Sequence, residues 1–329
     1  MIKHKFLFWS SFAVISLGAI IGFQNQEPLK DSPVQAKKST LDYVIPAIEN
    51  NPIVKSIEAI DFGFNTSSPI VKTDPVQTPP RTTISALAYG TYFVNSDGTV
   101  KNLLGQNLDK PLGIASITKL MTALIAVKSM NPNDEVIITE KDFGKGTFDR
   151  YKVGDKLTIQ NILYSLLIES DNDAARIIEN HYGADNFILA MNNEAKSLGM
   201  VNTKYFNSSG VDGETPSEDN VSTVSDLTKL TEYIELKYPS IFAITSISKY
   251  DIVDVSGKFH HEAISTDKLI DEFSVNYFVG GKTGFTTRAK QNLLILRAHD
   301  GDDGYYIDTV LSSDDRFGDM KLLISKIPN

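Results

Sequence analysis

At 329 residues, 41% of them hydrophobic, the chain is long enough for one large folded domain or two ordinary ones. A net charge of -9 and a pI near 5.1 argue against a nucleic-acid polyanion as the main partner, and no basic run larger than Lys37-Lys38 opposes that reading. The absence of cysteine removes disulfides, thiolate metal sites and a cysteine nucleophile.

In chain order, Lys3, His4 and Lys5 precede an uncharged run, FLFWSSFAVISLGAIIGF, from Phe6 to Phe23. As a helix it would be roughly 27 Å long, close to the thickness of a bilayer core. Gly22-Phe23-Gln24 is a poor cleavage site, so residues 1–23 are expected to act as an uncleaved signal-anchor at the outer face of the cytoplasmic membrane. The alternative is a cleaved signal peptide and a secreted chain. Residues 24–82 carry eight of the thirteen prolines and read as an extended stem, with an apolar stretch between Leu41 and Phe64 of unassigned role.

Residues 83–329 are expected to fold. Ile84 to Asn95 reads as a strand, Ser96-Asp97-Gly98 as a hairpin turn, and Thr99 to Leu104 as its partner. A loop then enters a buried helix with Ser116 as its cap and Ile117, Leu120, Met121, Leu124 and Ile125 on one apolar face. Further helices are predicted over Ile159 to Ser170, Ala174 to Tyr182, Asn186 to Leu198 and Val224 to Tyr238, the last capped by Ser222 or Thr223. Tyr277 to Lys282, Asn292 to Ala298 and Tyr305 to Ser312 read as strands, before a helix from Phe317 to Ile327. Strands, then helices, then strands describe an α+β domain whose sheet is completed by the end of the chain. His4, His181, His260, His261 and His299 show no metal-ligand spacing and read as surface or incidental residues, so no metal and no other cofactor is expected.

Three short motifs carry chemistry. Ser116 and Lys119 are one helical turn apart, where a hydroxyl and an amine can meet. An amine in a desolvated pocket can be neutral enough to take the hydroxyl proton, and a helix N-terminus supplies N–H groups for an oxyanion. The pattern alone also fits a cap followed by a solvated lysine, and it recurs at Ser246 to Lys249 and Ser265 to Lys268. Ser170-Asp171-Asn172 lies between two predicted helices, where a helix cap is the plain alternative. Gly280-Gly281-Lys282-Thr283-Gly284 ends an apolar strand; its glycines would let a ligand approach the backbone, or mark a bulge.

Together, Ser-x-x-Lys, Ser-x-Asn and Lys-Thr-Gly in this order are a strong signal. With Asn207-Ser-Ser-Gly210-Val-Asp212-Gly, they make the stretch from Ala88 to about Ile327 resemble the serine-type D-alanyl-D-alanine carboxypeptidases, the low-molecular-mass penicillin-binding proteins. The resemblance implies a β-lactamase/transpeptidase-like fold, an antiparallel sheet flanked by helices with a helical subdomain. It implies peptidoglycan stem peptides ending in D-Ala-D-Ala as substrate and β-lactams as covalent inhibitors. It makes Ser116 the nucleophile, Lys119 its base and Ser170 a proton relay to the leaving amine. Asn172 would fix Lys119 and the substrate amide; Lys282, with Thr283 and Gly284, would hold the terminal carboxylate; Phe285 would offer the second oxyanion N–H. Arg316 resembles a family arginine near the same carboxylate.

Two departures stand out. Lys290 occupies a position where the family usually has glycine, and little chain follows the last strand, so a β-rich second domain is not expected and attachment passes to the N-terminal helix. A DD-endopeptidase, a β-lactamase of the same fold and a catalytically silent wall-binding module are the alternatives.

Overall fold

The computed structural model describes residues 82–144, 150–272, 277–299 and 304–327. The apolar segment 6–23, residues 24–81 of the expected stem and the stretch between Leu41 and Phe64 lie outside the described residues. Among the described residues, no helix is long and apolar enough to cross a membrane.

Ala88–Asn95 (β1) and Val100–Gln106 (β2) form the expected hairpin. Its turn is closed by the Asp97 carboxylate, which accepts from the Thr99 amide and hydroxyl, with Gly98 at φ +82. Leu112–Gly113 (β3) leads into a 3-10 turn at Ala115–Thr118 and the helix Lys119–Ser129 (α1). Glu135–Ile137 (β4) pairs with Lys156–Thr158 (β5). Thr158 caps Ile159–Ile168 (α2) by accepting from the Asn161 amide. Asn172–Tyr182 (α3) and Ala184–Ser197 (α4) follow. Val221–Ser222 (β6) pairs with β3, and Thr223 caps Val224–Lys237 (α5). Next come Ser240–Thr245 (α6) and the hairpin of Lys249–Val253 (β7) with Phe259–Ile264 (β8). Phe278–Thr286 (β9), Lys290–Ala298 (β10), Gly304–Ser313 (β11) and Arg316–Ser325 (α7) close the chain.

One antiparallel sheet, in the order β2-β1-β11-β10-β9, joins the first strands to the last, as the α+β reading requires. Alternation along β10 sorts its side chains between two cores. Leu294 and Leu296 join the main helical core, while Leu293 and Ile295 pack with Met320 and Leu323 of α7. The sheet is therefore a middle layer, with α7 on one face and the other helices on the opposite one.

Three details differ from the sequence reading. Ser116 is no cap: it sits inside the 3-10 turn, and neither Ile114 nor Thr118 makes a side-chain capping bond. Helix α1 is also more than amphipathic, since every residue from Lys119 to Ala126 is buried. The β7–β8 hairpin and α6 have no counterpart in the sequence reading, because a six-residue helix and a strand containing His260, His261 and Glu262 offer no clean period. The duplicate Ser-x-x-Lys patterns fall at the end of α6 and just beyond β8, not on helices.

Candidate active site

The 3-10 turn carrying Ser116 is wedged between β9 and the loop 207–213. A Cβ added to Gly284 would stand 2.7 Å from the Ile114 carbonyl and 3.1 Å from the Ser116 amide; one added to Gly210, whose φ is +82, would overlap the Ala115 carbonyl. Gly280 is packed the same way against Phe242 and Thr245 of α6. These glycines admit neighbouring backbone, whereas the motif alone suggested room for a ligand.

Lys119 is 0% exposed, and its Nζ meets three oxygens: Ser116 Oγ at 2.9 Å, Asn172 Oδ1 at 2.7 Å and the Ser209 carbonyl at 2.7 Å. The Asn172 and Ser209 oxygens can only accept. A neutral amine has two N–H groups, which these acceptors consume, so its lone pair is left facing the Ser116 hydroxyl. Burial, and after it the positive charge of Lys282, pushes the Lys119 amine well below the usual lysine range. The arrangement is thus a hydroxyl beside a desolvated, neutral-leaning base.

The second group sits on the loop between α2 and α3. Asp171 caps α3, its Oδ1 accepting from the amides of Asp173 at 2.6 Å and Ala174 at 2.9 Å, and burial raises its carboxyl to about 6. The tripeptide is therefore both a cap and a part of the site, with Asn172 turned to Lys119. Ser170 has φ +63, a left-handed conformation that costs a non-glycine residue about 1 to 2 kcal/mol. Its Oγ accepts from Lys282 Nζ at 2.7 Å. Lys282, 1% exposed on the edge strand β9, also donates to the Thr283 carbonyl at 3.1 Å. Burial, and then the charge of Arg316, lowers its amine to about 7.

The remaining sequence-predicted residues line the same edge. Thr283 is buried with its hydroxyl on that of Thr266, while the Phe285 side chain is 62% exposed. Arg316, first in α7, donates from Nη1 to the Gly284 carbonyl at 3.0 Å. Lys290 occupies a left-handed turn position at φ +58, the conformation a glycine would adopt most easily, and its Nζ reaches Asp314 at 3.0 Å. Arg288 ties the β9–β10 turn to the loop 207–220 through Asp219 Oδ2, 2.7 Å from its Nε, and the Gly213 carbonyl, 2.8 Å from its Nη2. Among the described residues, no group of three or more His, Asp or Glu side chains is arranged to hold a metal.

Several supporting residues were not visible in the sequence. The Ser209 carbonyl is set by Glu179 of α3, which accepts from the Ser208 amide and hydroxyl, and by Asn220. The Asn220 amide donates to Thr118 Oγ1 at 3.0 Å and the Asn207 carbonyl at 2.8 Å, and its oxygen accepts from the Phe206 and Asn207 amides. Only a backbone trace could reveal them, since each lies far along the chain from what it holds. The five histidines were read as surface or incidental; His260 and His261 correct that, because their side chains are each 12% exposed and bonded to Asp155 and Glu169.

A family model described as D-alanyl-D-alanine carboxypeptidase matches residues 76–313. The chain is 34% identical over 214 residues to a D-alanyl-D-alanine endopeptidase of Pseudomonas aeruginosa, covering 64% of this chain and 67% of that one. It is 28% identical over 256 residues to a D-alanyl-D-alanine carboxypeptidase of Streptomyces sp. strain K15, covering 73% and 84%. The structure of penicillin-binding protein D2 from Listeria monocytogenes in its cefotaxime-bound form superposes with a TM-score of 0.63 at 28% identity, over 75% of this chain and 98% of that one.

Asn220→Ala would strip partners from two backbone amides, a carbonyl and the Thr118 hydroxyl. Left unsatisfied, such groups cost about 1 to 3 kcal/mol each. The variant is expected to lose at least that much stability in a denaturant titration; an unchanged midpoint would show that Glu179 alone holds the loop.

Proposed function

The chain belongs to the D-alanyl-D-alanine carboxypeptidase family, and on that premise we propose that it is an exported serine peptidase that removes the terminal D-alanine of peptidoglycan stem peptides through an acyl-enzyme on Ser116. The observation that carries this reading is the buried Lys119 amine, 2.9 Å from Ser116 Oγ and held by the Asn172 and Ser209 oxygens, which in its neutral form would turn its lone pair to the Ser116 hydroxyl.

In this mechanism, Ser116 Oγ attacks the carbonyl carbon of the penultimate D-alanine as its proton passes to Lys119. The negative oxygen is met by the backbone N–H groups of Ser116 and Phe285. The C–N bond then breaks, and Ser170 relays a proton to the departing amine, leaving an ester on Ser116 that water hydrolyses. Lys282, with Thr283 and Gly284, receives the terminal carboxylate, with Arg316 beside it; the Arg316 hydrogen bond to the Gly284 carbonyl supports that role. Asn172 orients the base and the substrate amide. β-Lactams acylate the same serine, a reading supported by the cefotaxime complex of the Listeria protein.

One observation favours a second activity: the Pseudomonas relative at 34% identity is named an endopeptidase. Endopeptidase cleavage of a cross-link breaks the same kind of amide, with a leaving amine that belongs to a neighbouring stem. A soluble D-Ala-D-Ala peptide and a cross-linked dimer, assayed in parallel, separate the two.

Ser116→Ala is expected to abolish labelling by a fluorescent penicillin together with D-alanine release, a loss on the order of 10⁶-fold in turnover. Covalent labelling that persists in the variant would put the nucleophile elsewhere.

The charge of Lys282 gives a further expectation. Acylation by penicillin should fall as pH falls and Lys119 gains a proton, with a midpoint well below the ordinary lysine value of about 10.4. Removing a neighbouring positive charge favours protonation, so Lys282→Gln should move that midpoint to higher pH. A midpoint that does not move would mean burial alone tunes Lys119.

Attachment is proposed to run through residues 6–23, on the strength of their uncharged sequence behind Lys3 and Lys5. The full-length protein should remain in washed membranes. Recovery of a soluble chain beginning near Gln24 would show cleavage instead.

A further inference from the structure

The residue before Ser170 ends a chain of polar side chains that the mechanism does not use. Glu169, whose side chain is 2% exposed, accepts from Ser165 Oγ at 2.6 Å and pairs with His261 Nε2 at 2.7 Å. Its other oxygen is 2.8 Å from Arg150 Nε, which also approaches Asp171 to 3.8 Å. His261 Nδ1 meets His260 Nδ1 at 2.7 Å, and His260 Nε2 reaches Asp155 at 2.9 Å. The buried ring of Tyr151 covers both imidazoles.

Two consecutive strand residues normally point to opposite faces. Here Ile252 pairs with His261 and Val253 with Phe259, so His260 is the extra residue of a β-bulge in β8. The bulge turns both imidazoles to one side, toward the end of α2, the re-aiming for which such irregularities are kept. Three contacts of hydrogen-bond length then run in a row from Asp155 through His260 and His261 to Glu169. The row ends on the residue that precedes Ser170.

We propose that the bulged His260–His261 pair, acting through Glu169, is a positioning device that holds Ser170 in its left-handed conformation with Oγ against Lys282. The strained Ser170 backbone is pinned on one side by the Asp171 cap of α3 and on the other by Glu169. Glu169 is tied to three elements: Ser165 on α2, His261 on β8 and Arg150 on the segment before β5. Without His261, Glu169 loses one of its fixed partners and the turn through Ser170 has a reason to relax. A displacement of about 1 Å at a reacting group can cost about a hundredfold.

This inference rests on Ser170 serving acylation, so the test is a double-mutant cycle in the full chain. Rates of acylation by a fluorescent penicillin are measured for wild type, Ser170→Ala, His261→Leu and the double variant, with thermal unfolding of each. His261→Leu is expected to slow acylation about ten- to a hundredfold in the wild-type background. In the Ser170→Ala background it should cost less than about twofold, the size of ordinary non-additivity. His261→Gln, which keeps an N–H donor for Glu169, should recover most of the rate. His260→Leu, one link further away, should show a smaller loss that also vanishes without Ser170, and it serves if His261→Leu does not fold. Equal losses with and without Ser170, no loss in wild type, or no recovery with glutamine would each overturn the proposal. Full activity in Ser170→Ala alone would instead overturn the role given to Ser170.

Discussion

A primary amine shut away from solvent is the constraint on which the rest of the site depends. Buried ammonium is costly unless it is fully paired, and buried amine is tolerable only if its N–H groups find acceptors. Lys119 meets both conditions with oxygens from three separated segments: the turn before α1, the start of α3 and the loop at Ser209. Those segments must be brought to within hydrogen-bonding distance of one nitrogen, and much of the surrounding architecture serves that end. Glu179 and Asn220 fix the Ser209 loop, the Asp171 cap fixes the start of α3, and Gly210 lets the loop lie against Ala115.

The second lysine depends on the first arrangement and feeds back on it. Lys282 projects from an edge strand, and its amine is buried and hydrogen-bonded to Ser170. Its positive charge depresses Lys119, and Arg316 in turn depresses Lys282, while Asp267 opposes that effect. All three basic groups are thereby held below their ordinary values. Burial is the leading cause at each of them, ahead of any pairwise charge.

Two of the five described non-glycine residues in left-handed conformations lie where the chain bends at this site. They are Ala115, which precedes Ser116, and Ser170, whose Oγ accepts from Lys282. Such strain persists only where neighbours over-determine it. At Ala115 the neighbours are Gly210 and Gly284, which admit no side chain; at Ser170 they are two buried carboxylates with partners on four elements.

Much of the fold was legible because local physics wrote it into the chain. The Asp97-Gly98 turn, the Thr223 cap and the apolar runs of β10 and β11 are short-range signals, and each lies close to where the sequence places it. Ser116, Lys119, Ser170, Asn172 and Lys282 were likewise identifiable from three motifs and their order. What only the tertiary structure decided is which oxygens surround Lys119, why Gly280 and Gly284 are glycine, and that His260 and His261 are internal. The reason is range. A cap or a turn bonds residues two to four apart, so its chemistry is visible in a window. The Ser209 carbonyl lies 90 residues from Lys119, and Glu169 lies 92 from His261. A bulge adds one residue to a strand without any change in composition, so no pattern of hydrophobicity announces it.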